Sequence, residues 1–370
     1  MKKIFYVLLI LSILFKINIV HANNMKFKSK ILKVNEYRED IIEYGSNTSI
    51  INIQNLILKI ISEGKYKNLE YDVDYKLGEA GTVLNNNLHE NQVVYIEITS
   101  NNEKEEIHIL DVDKSPYLIG LFLMFCILVL VIGKLQGLKT LVSLAVTLIS
   151  IIYIFLPMIM NGYSAILSAI FVCIIISTVS LILVCGINKK AFTTITSTII
   201  GVLFAGLLCN IVSYLGDITG LINDESQMLI YLTEGKQIDI KGIFFASVLI
   251  GAIGATMDMS MSITSAMFEL VTKAKGISKS ELIKSGLAVG KDSMSTMSST
   301  LILAYVGESL SLILLMMYGS SNLQLMLNSD YIASEITRSL CGTIGMITSI
   351  PITTWIYANI YNRNFKINKN

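Results

Sequence analysis

Proline is nearly missing from this chain, with three residues in 370, and charged side chains make up only 15% of it against 53% hydrophobic. That balance lies outside the range of soluble globular domains and indicates a polytopic membrane protein. The few charges are segregated, most of them before Lys114 or in short loops, so no basic face remains for nucleic acid. Histidine is scarce as well: His89 and His108 follow the first segment, and they lack metal-ligand spacing. The polar stretch from Asn23 to Lys114 contains no cysteine, which excludes a disulfide framework there. The five cysteines, Cys126, Cys173, Cys185, Cys209 and Cys341, all fall in apolar segments without paired spacing and read as small core residues. Neither a metal nor a cofactor is expected.

What the chain does have is a sequence of distinct segments. Residues 1–22 combine Lys2 and Lys3 with an apolar run and end in Val20-His21-Ala22, the pattern of a secretory signal peptide or an amino-terminal anchor. Residues 23–114 alternate apolar and polar side chains in short runs. Strands are expected at Lys26 to Val34, Gln54 to Ile61, Leu69 to Lys76, Gln92 to Thr99 and Glu106 to Val112. Five short strands in such a length suggest a small OB-like barrel on the extracytoplasmic side.

Residues 115–361 form a transmembrane domain, an all-α bundle of about seven spans. The spans are expected near Tyr117 to Gly133, Thr140 to Met160, Ser164 to Ile187, Ala191 to Gly216, Gly242 to Val271, Asp292 to Tyr318 and Tyr331 to Tyr361. Residues 362–370 form a tail. With the polar domain outside, the inner segments hold Lys134, Lys139, Lys189, Lys190, Lys273, Lys275, Lys279, Lys284, Lys291, Arg363, Lys366 and Lys369, whereas the outer loops hold Lys236 and Lys241. This asymmetry places the carboxyl terminus in the cytoplasm and the chain in the plasma membrane. Between the fifth and sixth spans, Ser278 followed by Glu281 signals a capped amphipathic helix running to Ala288 along the inner face.

One residue in the fifth span stands out. Asp258 lies near the middle of about thirty residues, Gly242 to Val271, with no other charge before Glu269. A carboxylate at that depth costs at least about 2.5 kcal/mol, and such residues face a bundle interior or wet cavity on an ion, proton or substrate path. Helical steps of three and four align Gly251, Gly254, Ala255, Asp258, Ser262, Ser265 and Glu269 in one small and polar stripe. Gly251, Gly254 and Ala255 suit close helix packing. The sixth span opens with Asp292 at its inner mouth, and Asp292, Ser295 and Ser299 share one face. If that face meets the Asp258 stripe, the two acids and their hydroxyls would line a cavity of oxygen ligands fit for a proton or hard cation. Toward the outside, Glu308, Glu335 and Arg338 are expected to form a structural or gating ion pair.

The strings GAIGATMDMSMSITSAMFEL, SGLAVGKDSMSTMSSTLILAYVGESL and CGTIGMITSIPITTWI resemble the YibE/YibF-like family of multipass membrane proteins, and the leading polar domain resembles the YibE-type member. Asp258 and Asp292 match the family pattern. The pattern carries Arg where Lys291 stands, Gly where Ser295 stands and Asn where Ser299 stands. The resemblance implies a membrane location and a YibF-like membrane partner, with a homo-oligomer as the alternative; it implies no substrate.

The residues themselves favour a transporter or permease of an ion or small solute over an enzyme. A non-catalytic scaffold of the cell envelope is the alternative. An intramembrane aspartyl protease is more remote, because it needs two carboxyls sharing a proton, whereas Asp258 and Asp292 are expected at different depths.

Overall fold

The computed structural model describes residues 25–44, 47–77, 87–101, 104–221, 224–232, 239–274, 276–319 and 322–367. The expected signal at residues 1–22 lies outside them. The chain divides into two compact units, with Val129 ending one and Leu130 beginning the other.

The first unit is built on a five-stranded antiparallel sheet: β1 (Met25–Tyr44), β2 (Asn47–Ile60), β3 (Glu70–Leu77), β4 (Val93–Asn101) and β5 (Lys104–Val112), in the order β3-β2-β1-β4-β5. Alternation along the strands sends Ile31, Leu56, Leu58, Ile60, Val94 and Ile96 to one fully buried face. Gln54 lies inside this core because its amide replaces a strand partner. It accepts from the backbone N–H of Leu88 at 2.9 Å and donates to the Leu88 carbonyl at 2.6 Å.

All five expected strands are present, but two are longer than their alternation suggested. Tyr37 to Tyr44 pairs with Asn47 to Gln54 as an extended hairpin. Register shifts at Ile31/Lys33 and Val34/Tyr37 bend β1. The result is a half-barrel, with β3 and β5 at its edges among the described residues. Among the described residues no ladder joins β3 to β5, so this sheet does not show the closed OB-like barrel that was expected. Closure would require an added ladder between these two edge strands, of 8 and 9 residues, and a matching shear.

The remaining elements are helical. α1 (Ser115–Ile149) continues through a π-helical turn (Ser150–Phe155) into α2 (Leu156–Met160). α3 (Ala165–Cys185), α4 (Lys189–Leu215), α5 (Asp224–Leu232), α6 (Ile240–Lys273), α7 (Lys279–Glu308), α8 (Leu310–Gly319), α9 (Leu323–Leu327) and α10 (Asp330–Ile367) follow. Five described segments are long and apolar enough to cross a membrane, and a sixth is gained if α7 and α8, bent by 57° at their junction, count as one.

The structure differs from the seven expected stretches in two places. Helix continues from Ser115 to Met160, 46 residues, where two spans and a loop were expected. Its backbone leaves helical geometry inside that expected loop, at Lys134, with φ 46° and ψ −123°. The helix that carries the expected sixth span also starts before Asp292. Ser278 and Glu281 form the expected capping box, but the helix they start is α7 itself, 30 residues long, not a separate surface helix.

The second unit's core is the contact of α4, α6 and α10, made possible by small residues. A Cβ at Gly345 would come within 2.8 Å of the Gly201 carbonyl oxygen and 2.5 Å of the Ala205 side chain. Such close approach is the usual means of helix association in apolar surroundings. Hydroxyls fill the seam: Thr194 and Thr264 share a hydrogen bond of 2.9 Å, and Thr353 donates to Ser260 at 3.1 Å. Thr194, Thr256, Thr264 and Thr353 also lie within hydrogen-bond distance of the carbonyl four residues earlier, so each hydroxyl of the dry interior has a partner for its one proton.

Candidate functional site

The tight core takes one face of α6, through Ala252, Thr256, Ser260, Ile263, Thr264 and Met267, all buried. The opposite face carries the expected stripe. Gly251, Asp258 and Glu269 are exposed, and Gly254, Ala255, Ser262 and Ser265 are partly exposed. Asp258 therefore lies near the midpoint of the 34-residue α6 on its uncovered side. No hydrogen bond or ion pair engages it among the described residues. Beside it, a Cβ at Gly254 would meet nothing within 4 Å, so the helix surface there borders open space. Ser265 is occupied locally, donating to the Met261 carbonyl at 2.7 Å. Glu269 pairs with Lys273 one turn on, at 2.6 Å.

α7 runs antiparallel to α6. A Cβ at Gly286 would touch Met267, and one at Gly290 would touch Ile263 and Ile350. Counting about 1.5 Å per residue from the Ile263–Gly290 contact brings Asp292 to within about one helical turn of Asp258 in depth. The helix that carries Asp292 starts earlier than expected, at its capping box. Asp292, Ser295 and Ser299 do share a face, but all three are exposed, on the side of α7 away from Gly286 and Gly290. What separates the two acids is facing, not depth. Among the described residues no hydrogen bond joins the two carboxyls.

At the other end of the stripe, α7 returns to α6. A Cβ at Gly251 would overlap the Tyr305 hydroxyl. The Tyr305 ring lies 5.8 Å from the Arg338 guanidinium, within cation–π range. Arg338 pairs with Glu335 at 3.2 Å, and both side chains are only 10% exposed. Ser309, buried at the α7–α8 bend, adjoins Glu335, and Glu308 is near enough to act on Glu335 and Tyr305 through space. Arg338 Nε, Glu335 Oε2 and the hydroxyls of Ser334 and Ser339 are buried without a hydrogen-bond partner.

The expected Glu335–Arg338 pair is thus linked to the Asp258 stripe through Tyr305, a residue that sequence reasoning missed. Its only signal was an aromatic hydroxyl on the α7 face shared with Ser298 and Leu301. The hydroxyl seam of α4, α6 and α10 was also missed. Its signal was legible as four-residue spacing: Ala252, Thr256, Ser260 and Thr264 on one helix, Gly345, Ser349 and Thr353 on another. Thr194 makes an interhelical hydrogen bond in this seam, whereas Thr198 is buried without a partner and Asn210 is exposed. Among the described residues no group of three or more His, Cys, Asp or Glu side chains is placed to hold a metal ion.

The chain matches no curated protein and no solved structure. The uncovered acidic stripe of α6, the Gly290 to Asp292 segment of α7 and most of the apolar helices lie within residues 121–363, which match the family model for YibE/F-like proteins, and the chain belongs to that family.

Proposed function

We propose that this membrane protein is a permease for a cation or a cation-coupled small solute, with Asp258 as the residue that binds the cation or proton near mid-membrane. The observation that carries this reading is the unpartnered Asp258 carboxylate, beside the open surface at Gly254, in the middle of an apolar helix. A packing role accounts for glycine and serine on such a stripe but gives no reason for a carboxylate, which hydrocarbon tolerates only when water, a proton or a counter-charge reaches it.

The pathway follows the stripe of α6 from Ser265 and Ser262 past Asp258 and Gly254 to Gly251. There Tyr305, Arg338 and Glu335 form the outer gate. The exposed Asp292, Ser295 and Ser299 face of α7 is covered in the membrane by a second subunit, a further copy of the chain or a YibF-like partner. The protein is inserted in the plasma membrane with its sheet outside, seven crossings and an inner carboxyl terminus, in keeping with the lysine distribution.

The test is flux into proteoliposomes across a panel of ions and small solutes. Wild type is expected to move at least one of them, and Asp258→Asn to reduce that flux to the rate of empty liposomes while still inserting. Full flux in Asp258→Asn would refute the assignment.

The alternative of an envelope scaffold draws on the open strand order, in which β3 and β5 are the edge strands among the described residues, the position at which a partner strand can extend a sheet. Deleting residues 23–114 separates the two readings: a permease keeps its flux, whereas a scaffold loses its envelope partner with no flux to lose.

A further inference from the structure

The five cysteines look unrelated in the sequence, but two meet in the fold. On the antiparallel helices α4 and α10, Ala205 faces Gly345. One turn further along each helix lie Cys209 and Cys341, 132 positions apart in the chain. Both are buried in the same cluster, with Ile218, Phe244 and Val248, and the Cys209 thiol also lies 3.9 Å from the Ser213 hydroxyl. Cys209 also lines an open cleft of about 200 Å³, with Asn210, Ser213, Tyr214, Asp239 and Lys241 around it. Cys341 does not line that cleft.

We propose that Cys209 and Cys341 are an oxidisable dithiol, in which Cys209 reacts with a small peroxide entering the cleft and Cys341 resolves the product into a disulfide joining α4 to α10. In the first step the Cys209 sulfur attacks one peroxide oxygen. The O–O bond breaks, the thiol proton leaves with the departing oxygen as water, and Cys209 becomes a sulfenic acid. In the second step the Cys341 sulfur attacks the Cys209 sulfur; the S–S bond forms, the S–O bond breaks, and a second water leaves with the Cys341 proton. The peroxide gains the two electrons the sulfurs lose. A vicinal resolving thiol directs such chemistry to a reversible disulfide rather than to sulfinic acid. The bond would clamp the two helices beside the Gly201–Gly345 contact, one turn from Arg338.

The full chain in native membranes is treated with hydrogen peroxide, denatured, and counted for free thiols with a maleimide-polyethylene-glycol label. Untreated protein should take up five labels, one for each cysteine. Treated protein should lose two of them, dithiothreitol should restore both, and mass spectrometry should find one linked peptide containing Cys209 and Cys341. In Cys341→Ser the reversible loss should vanish and a dimedone adduct should appear on Cys209. Retention of all five labels, a linked peptide using another cysteine, or irreversible oxidation without the Cys209–Cys341 link would overturn the proposal. The wild-type linked peptide decides the matter even if a variant fails to accumulate.

Discussion

The Tyr305 hydroxyl occupies the space a side chain at Gly251 would need. This contact joins the stripe of α6 to a buried charge pair on α10, because the same tyrosine ring lies against Arg338. Glycine at 251 therefore leaves room for a side chain of the neighbouring helix and does not answer a need of its own backbone conformation. Overlap at a packed contact costs about 1–3 kcal/mol, and Gly251→Ala is expected to displace Tyr305 and reduce flux about tenfold or more, with insertion intact. Since the overlap is with the hydroxyl oxygen, adding Tyr305→Phe should recover much of the loss. A double variant no better than Gly251→Ala alone would show that the contact does not carry the effect.

The seam of α4, α6 and α10 should respond very differently to two kinds of substitution. Thr194→Val removes one interhelical hydrogen bond, which in membrane proteins is worth about 0.6 kcal/mol, and Thr264 keeps its own backbone acceptors. Gly345→Val places atoms against the Gly201 carbonyl and Ala205, where neither backbone can withdraw. We expect Thr194→Val to accumulate and unfold almost as wild type. Gly345→Val should fail to give a monodisperse species in size-exclusion chromatography.

These two contacts also mark where the sequence stops being informative. Helix identity followed from composition, and the alignment of Asp258 with Gly251, Gly254, Ser262 and Ser265 followed from helical steps alone, because both are properties of a single element. Which neighbour covers which face depends on the start and tilt of other helices. The 13 residues from Lys279 to Lys291 look amphipathic in isolation, yet Leu282, Gly286 and Gly290 bury themselves against α6 and α10 and carry Asp292 inward. Tyr305 and the closeness of Cys209 to Cys341 were overlooked for the same reason: each has its meaning only through a partner distant in the chain. In the sheet the alternation was read correctly, while the β1–β2 arm was hidden by the charged run Arg38, Glu39 and Asp40, whose pairing depends on the opposite strand.

The first unit carries its own pH dependence. Lys28 on β1 donates to Asp113 at 2.8 Å, and Asp113 accepts from the backbone N–H of Ser115, the first residue of α1. Burial alone would raise the Asp113 carboxyl, but the hydrogen bonds from Lys28 and Ser115 outweigh it and hold the carboxyl below the usual range. The hydrogen bond to Asp113, with a further contribution from Tyr95, raises Lys28. The carboxyl's contribution is complete above its unfolded value of about 3.9 and is lost as pH falls through the lower folded value. That of Lys28 is complete below about 10.4 and is lost as pH rises through its raised value. Asp113→Ala should cost about 1–2 kcal/mol near neutral pH. Asp113→Asn should cost less, since the amide still accepts from Ser115 and the ion pair is partly exposed. Hydrogen exchange of β1 and β4 peptides in the full chain should rank wild type, Asn and Ala in that order, and the gap between wild type and Asn should close as pH drops below the carboxylate range.

The long apolar segment from Ser115 to Met160 decides the topology. A straight helix of 46 residues would be about 69 Å long, more than twice the roughly 30 Å hydrocarbon layer, so it cannot be a single upright span. The backbone break at Lys134 falls where Lys134 and Lys139 would make an inner turn between two crossings. A non-glycine residue at positive φ costs on the order of 1–3 kcal/mol, a strain that a functionless interruption of a helix would not retain. Cysteine labelling in a background with the five native cysteines replaced tests this directly. With two crossings, Gln136→Cys should react with a membrane-impermeant maleimide only when the reagent reaches the cytoplasmic side, and Asn161→Cys only from outside. With one tilted crossing, Gln136→Cys would lie in hydrocarbon and react from neither side, leaving an even number of spans and reversing the carboxyl terminus.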